Sequence, residues 1–316
     1  MVKALRIVFF GTPDFAVPTL QRLLDSRHPV VGVVTQPDRP RGRGHRVSAS
    51  PIKTLALERG LPVRQPARLR DTAFLDELRA WEPDLGVVAA YGRMIPDEIL
   101  QLPPHGLVNV HASLLPKYRG AAPVHRAIID GESETGVTIM RVEQMLDAGP
   151  MLAKVTRPIG PDETSDAVER DLAALGADLL VTVVDQIAAG THQQELQDFM
   201  LCSYAPRITK EEGLIDWTLP ATYIHNRVRG LYPWPHAFTF LGDMRLIVLK
   251  THVEAAPASA APGTVVEVSR DSIHVATGHD GRIAIERLQL EGGRPLQVRE
   301  FLAGHRVAPG ARLGHP

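Results

Sequence analysis

Asn109 and His111 stand two residues apart in an otherwise apolar run, Leu107-Val108-Asn109-Val110-His111. In a strand, alternate side chains share a face, so these two polar groups point one way while Val108, Val110 and Ala112 point the other. An asparagine amide both donates and accepts hydrogen bonds, and a histidine gains or loses a proton near neutrality. Such a pair suits a site where one group must be held by a fixed donor and a proton must move. Taken alone, it also fits a buried structural histidine. A second candidate lies upstream. Arg39, Arg41, Arg43, Arg46 and Lys53 face a single acid, Asp38, in a stretch that also holds Pro40, Gly42 and Gly44. A Gly-Arg-Gly segment can bring cationic donors close to phosphates without steric bulk. The same composition also fits a solvated loop.

These residues need elements to position them. Leu5 to Phe10 is an apolar run ending in the turn Gly11-Thr12-Pro13, and Val30 to Thr35 is a second run rich in β-branched residues. Leu85 to Ala90, Gly106 to Ala112 and Thr135 to Val142 read as further strands, with Pro62 to Arg64 as a brief one. Helix-length segments separate them. This alternation predicts an α/β fold, a Rossmann-like, doubly wound and mainly parallel sheet. Ligands of such sheets bind outside the carboxyl ends of the strands, which is where Asn109 and His111 fall. From Thr164 to Ala189 the apolar positions Val168, Leu172, Leu175, Leu179, Val183 and Ile187 recur at helical spacing, and Gly190 stops the helix. Residues 1–189 are therefore expected to form one domain. Residues 190–209 are polar and aperiodic, as in a linker. Residues 210–316 carry short apolar runs separated by turn residues, which predicts a smaller, OB-like β-barrel domain, with Glu254 to Gly263 as a loop within it. Trp217 and Trp234 read as packing residues of this part.

The totals exclude several classes. With 316 residues, two domains are the starting expectation. No run of 18 or more residues is wholly apolar, so no membrane span is expected. Met1 to Arg6 carries no secretory pattern, and the single cysteine, Cys202, rules out an internal disulfide. A cytoplasmic protein is expected, and a monomer, since no apolar seam is evident. The net charge of −1 does not announce a nucleic-acid partner, although a local basic patch can hide in a neutral total. The turn at Gly11 has only one glycine where a dinucleotide fingerprint needs three, so NAD is not expected. His225, His236, His252, His274 and His279 have no partners at metal-ligand spacing, and no metal is expected.

Ser113-Leu114-Leu115-Pro116 follows His111 directly, then Tyr118-Arg119-Gly120-Ala121-Ala122-Pro123. Farther on come Gly136-Val137-Thr138-Ile139-Met140 and Leu146-Asp147-Ala148-Gly149-Pro150. This combination resembles the folate-dependent formyltransferases, whose signature of an Asn, a His two residues on and an Asp in a D-x-G turn matches Asn109, His111 and Asp147. The longer stretches FFGTPDFAVPTL, VVTQPDRPRGRG, SPIKTLALERGLPV, KEEGLIDW and YPWP are similar to the branch of that family that acts on methionyl-tRNA. Ala112 departs from it, standing where the family often has Gly. The resemblance covers nearly the whole chain, thinning after about Lys250. It implies transfer of a formyl group from 10-formyltetrahydrofolate to the amino group of initiator methionyl-tRNA, with Asn109, His111 and Asp147 as the catalytic unit. It implies a folate site bordered by Ser113, Leu114, Leu115 and Pro116, with Ala90, Tyr91 and Gly92 beside it. It places Arg39, Arg41, Arg43 and Arg46 against the tRNA acceptor end, and gives the barrel a tRNA-holding role. The closest alternative is a formyltransferase acting on an amino sugar-nucleotide, which would share the Asn/His/Asp site.

Overall fold

Ile7–Gly11 (β1) is buried at every position, as a central strand covered on both faces requires. In the computed structural model, which describes residues 3–41 and 46–314, β1 is followed by α1 (Val17–Leu24), β2 (Val30–Val34), β3 (Arg39–Arg41), β4 (Arg46–Ser48) and α2 (Pro51–Glu58). Next come β5 (Val63–Arg64), α3 (Thr72–Ala80), β6 (Leu85–Ala89), α4 (Asp97–Leu100), β7 (Leu107–His111), β8 (Arg119–Gly120) and α5 (Pro123–Ile129). Then follow β9 (Glu134–Arg141), β10 (Met151–Pro158), α6 (Ser165–Ala189) and β11 (Tyr204–Ala205). The chain falls into two compact units. The first holds the residues up to Pro123 with Glu134–Pro158 and Glu169–Pro206; the second holds Val124–Ser133, Ile159–Val168 and the chain from Arg207. Two short segments from within 1–189 thus cluster with the C-terminal part.

The main sheet of the first unit runs β10-β9-β7-β6-β1-β2-β5. The strands from β7 to β5 are parallel, while β9 runs antiparallel to β7 and β10 antiparallel to β9. The mainly parallel, Rossmann-like sheet expected from the sequence is present. β10 was not expected. Of its residues only Met151 is buried, and an edge strand with so little buried surface carries little apolar patterning to mark it. Val8, Phe10, Val34, Val88 and Leu107 cluster on one face with Phe74, Leu75 and Leu78 of α3. On the other face, Gly176 of α6 lies so close that a Cβ there would stand 2.8 Å from Val110 and 3.1 Å from Val137. This glycine lets the helix seat directly on the strand that carries Asn109.

α6 is long and apolar enough to cross a membrane by length and composition alone, the one such helix among the described residues. Its Leu172, Leu180, Val183, Val184 and Ile187 are nevertheless all buried against protein. The buried stripe is turned slightly from the one read in the sequence, since Leu175 and Leu179 are only half-buried. Residues 190–209 do not hang free. Met151 and Glu195 form an antiparallel bridge, and β11 pairs in parallel with β8.

In the second unit, α7 (Ala221–Gly230) precedes β12 (Ala237–Leu241), β13 (Met244–Glu254), β14 (Val265–Val268), β15 (Ile273–Ala276), β16 (Arg282–Leu290), β17 (Pro295–Gln297), α8 (Val298–Leu302) and β18 (Leu313–Gly314). The sheet order is β14-β15-β16-β13-β12-β18, antiparallel throughout, with β17 paired to β16. Its two ends meet. Val265 N–H donates to Ala311 O at 2.8 Å, and Leu313 N–H to Gly263 O at 2.7 Å. The sheet so curls round on itself, while β17, paired to β16 alone, remains an edge. Trp217 is buried in its core, with Nε1 donating to Thr239 Oγ1 at 3.0 Å. Trp234 instead is half-exposed, so only one of the two tryptophans packs as expected.

Gly136 tests the tight fit of the first sheet. A Cβ there would stand 2.1 Å from Val155 O of the neighbouring strand and 2.5 Å from Leu114 Cδ2. Because the nearest atom is backbone and cannot swing aside, Gly136→Ala is expected to destabilise by about 1–3 kcal/mol. A lowered thermal unfolding midpoint checks this.

Candidate active site

β7 pairs with β6 on one side, Val88 opposite Asn109, and with β9 on the other, Met140 opposite Asn109 and Thr138 opposite His111. Asn109 is partly exposed, and among the described residues its side-chain amide has no hydrogen-bond partner. His111 is buried. Its Nε2 lies 2.9 Å from Tyr118 O. A carbonyl can only accept, so Nε2 carries the hydrogen and Nδ1 is the nitrogen left to exchange a proton. Nδ1 stands 3.7 Å from Asp147 Oδ2. The same carboxylate oxygen accepts Gly120 N–H at 2.8 Å. Asp147 is in the left-handed region, φ +47°, which aspartate adopts more readily than most residues. The structure thus brings together the three residues picked out in the sequence, two from one strand tip and one from a later loop.

The segment after β7 is fixed from beneath. Thr138 Oγ1 donates to Ser113 O at 2.7 Å and accepts Leu115 N–H at 3.1 Å. Ser113 Oγ donates to Lys117 O at 2.7 Å, so its hydroxyl is engaged inside the turn. Leu115 is buried with Met140 and Met151, while Leu114 and Pro116 are half-buried. The 115–116 peptide is cis. Of this segment, Leu114 and Pro116 keep surface to offer a ligand.

Ala90 and Gly92 are exposed at the end of β6, both at positive φ. Tyr91 between them turns inward. Its ring packs edge-on to Phe10, centroids 5.6 Å apart, and only 2% of the residue is exposed. Its hydroxyl is buried without a hydrogen-bond partner, and burial pushes the phenol up to about 12. The hydroxyl therefore stays protonated at neutral pH and cannot serve as a base. What Tyr91 offers is its carbonyl, which accepts from Gln36 Nε2 at 2.9 Å. Two residues farther on, from Arg93, a cavity of about 690 Å³ opens between 67–70, 93–97 and Gln144. Gln144 belongs to the loop that carries Asp147, and its amide donates to Asp97 Oδ2.

Arg39 and Arg41 lie on β3 and Arg46 on β4, which pair antiparallel with Arg41 opposite Arg46. Arg43 lies outside the described residues. Lys53 does not add a free charge to this group. Its ammonium donates to Asp38 Oδ2, and Gln65 Nε2 donates to Asp38 Oδ1 at 2.7 Å. The bond from Lys53, then that from Gln65, holds the Asp38 carboxyl below the usual carboxylate range. The root of the arginine ribbon is tied down by this ion pair. Basic residues of the second unit are similarly engaged. Lys250 pairs with Glu286 at 2.7 Å and Arg245 with Glu291 at 2.6 Å, while Arg229 donates to Asn226 Oδ1 at 3.0 Å. Among the described residues no group of three or more His, Cys, Asp or Glu could hold a metal ion.

Several groups that shape the site carry no signal in the sequence. Tyr118 O orients His111, Gly120 N–H holds Asp147, and Thr138 holds 113–115. The partnership of Thr138 with His111 follows from strand register, which an isolated sequence does not give. Gln197 comes from the stretch read as a linker. Its Nε2 donates to Asp147 O at 2.9 Å and to Gly149 O at 2.8 Å. Nothing in its polar, aperiodic neighbourhood marks it.

A parallel sheet with an Asn/His/Asp cluster at a strand tip, joined to a curled antiparallel barrel, defines a class. The profile of the formyl transferase family matches residues 5–184, and that of the formyl transferase C-terminal domain matches 207–306. The chain belongs to the formyl transferase family. Within it, the chain is 47% identical over 313 residues to the methionyl-tRNA formyltransferase of Geobacter sulfurreducens, covering 99% of this chain and 98% of that one. It is 48% identical to the methionyl-tRNA formyltransferase of Citrifermentans bemidjiense, with the same coverage. Among solved structures, the N-formyltransferase from Helicobacter canadensis, in complex with folinic acid and dTDP-3-aminofucose, superposes with a TM-score of 0.69. That likeness spans 89% of this chain and 99% of the other at 17% identity, and it concerns the fold.

The unpaired Tyr91 hydroxyl yields a test. A buried polar group without a partner costs about 1–3 kcal/mol, so removing it sacrifices no favourable interaction. Tyr91→Phe is expected to unfold at a temperature no lower than the unmodified chain, and to keep its activity. A lowered midpoint would show that the hydroxyl has a partner in solution.

Proposed function

We infer that this chain transfers a formyl group from 10-formyltetrahydrofolate to the amino group of methionyl-tRNA. The observation that carries this reading is identity of 47% along nearly the full length of both chains to the methionyl-tRNA formyltransferase of Geobacter sulfurreducens. Amino-sugar formyltransferases share the fold at 17% identity, too distant to favour them as the function.

The site chemistry is consistent with the reaction. The acceptor amine bonds to the formyl carbon, negative charge gathers on the formyl oxygen, and the bond from carbon to N10 then breaks. The proton lost by the amine is balanced by the one N10 gains. Asn109, whose amide is otherwise unengaged, donates to the developing oxyanion. His111 exchanges a proton at Nδ1, since Nε2–H is committed to Tyr118 O. Asp147 provides the counter-charge on that side. Leu114, Pro116, Ala90 and Gly92 border the folate, with Ser113, Leu115 and Tyr91 supporting them from below. Arg39, Arg41, Arg43 and Arg46 meet the phosphates of the acceptor end. The protein acts as a soluble, cytoplasmic monomer in translation initiation.

Asn109→Ala is expected to lower kcat by about 10²–10³, the usual worth of one oxyanion donor. Folate binding should be nearly unchanged. Formyl transfer to methionyl-tRNA measures the first and titration with a folate analogue the second; wild-type turnover by the variant would remove Asn109 from the mechanism. A dTDP-amino sugar offered as acceptor in the same assay separates the two substrate classes.

Arg43→Ala should impair transfer to methionyl-tRNA and leave folate binding intact. It should also flatten the dependence of tRNA affinity on salt, by roughly 0.9 log unit per log unit of salt for each duplex phosphate that is no longer neutralised. Equal damage to both substrates would argue against a tRNA-binding role.

A further inference from the structure

Gln197 occupies the place where three segments of the first unit meet. It is 5% exposed, and its side-chain amide uses every hydrogen-bonding position it has. The NH₂ donates to Asp147 O at 2.9 Å and to Gly149 O at 2.8 Å. The oxygen accepts from Arg119 Nη2 at 2.7 Å and from Arg119 Nε at 3.0 Å. Arginine can only donate and carbonyls can only accept, so the amide has one possible orientation. Arg119 is itself fully buried and lies over the Phe199 ring, 4.7 Å from its centroid. The backbone leading to Gln197 is fixed two residues earlier, where Glu195 and Met151 exchange hydrogen bonds at 2.8 and 2.9 Å.

The loop that Gln197 holds needs holding. Asp147 sits at φ +47°, a conformation that costs a non-glycine residue roughly 1–2 kcal/mol. Its carboxylate faces His111 Nδ1 at 3.7 Å, just beyond hydrogen-bond reach, so a small slide of the loop makes or breaks that pairing. Gly120 N–H holds the carboxylate itself, and Gly120 adjoins Arg119 on β8. One short strand therefore grips the Asp147 carboxylate directly and its main chain through Gln197.

We propose that Gln197 is a positioning residue for the formyl-transfer reaction, fixing Asp147 against His111 by clamping the main chain of residues 147–149 to the buried Arg119. The inference rests on the functional reading above and deepens it. Gln197 touches neither substrate. Its effect should fall on turnover and not on folate binding.

The test compares Gln197→Leu, Gln197→Glu, Asp147→Ala and the double variant Asp147→Ala/Gln197→Leu in the full chain. Gln197→Glu keeps the size and the bond from Arg119, but sets a carboxylate oxygen against two carbonyl oxygens. Displacement of a catalytic group by about 1 Å can cost on the order of 10²-fold, so each Gln197 variant should lose roughly 10- to 100-fold in kcat. KM for 10-formyltetrahydrofolate should be unchanged. In the Asp147→Ala background, Gln197→Leu should cost nothing further, because residues acting as one unit do not lose activity additively. Should Gln197→Leu fail to fold, Gln197→Glu carries the same comparison. Wild-type kcat in a folded Gln197 variant overturns the proposal, as does an additive loss in the double variant or a rise in KM without a fall in kcat. With Asp147→Ala strongly impaired but still measurable, such results leave the formyl-transfer reading standing. Absence of transfer by the unmodified chain overturns that reading and this inference together.

Discussion

The Asp147 carboxylate reaches the tip of β7 only because other segments close on its loop. The main chain at Asp147 is left-handed, which alone is unfavourable. Gly120 N–H pulls on the carboxylate, and the Gln197 amide pulls on the carbonyls of 147 and 149. Together the two holds keep the carboxylate on the side of His111 Nδ1. The segment 195–205, the short strand 119–120 and the loop 142–149 are thus best understood as one assembly. A buried arginine lies at its centre, and its position is secured by ordinary amide hydrogen bonds.

The strand that carries the other two residues is constrained from both sides. β6 gives it a parallel neighbour, so that its carboxyl end opens where such sheets accept ligands. β9 gives it an antiparallel neighbour, which sets Thr138 beside His111 and lets one hydroxyl hold both Ser113 O and Leu115 N. Gly136 and Gly176 contribute by having no side chain. One admits β10 and Leu114 to close approach, and the other admits the long helix to Val110. The Asn109 amide is left as the group with free hydrogen-bonding capacity, which is what a donor to a transient negative charge requires.

Several of the charged groups are engaged in the same way. Lys53 is tied to Asp38, and Lys250, Arg245 and Arg229 are engaged within the second unit. Paired cations of this kind anchor structure and contribute little to long-range attraction. Arg39, Arg41 and Arg46 stand on the β3–β4 ribbon, whose root is tied down by such a pair. A net charge near zero thus conceals local pairings that composition cannot express.

The sequence by itself determined the parallel sheet, because uninterrupted β-branched runs separated by helix-length segments admit few other folds. It determined the shared face of Asn109 and His111, because strand periodicity is local. The short motifs, through resemblance, marked Asp147 and the family. It could not determine that Tyr91 turns its ring into the core while its neighbours face out, since that depends on an unusual backbone turn on either side of it. Nor could it separate Trp217, which finds Thr239 as a partner, from half-exposed Trp234. The edge strand β10 and the role of residues 190–209 were hidden for one reason. Both are held by backbone pairing, β10 with the preceding β9 and residues 190–209 with segments far away in the chain, and not by their own periodicity. Gln197 is the clearest case: its four hydrogen bonds reach partners about 50 and 80 residues away, and only tertiary structure brings those partners within reach of one amide.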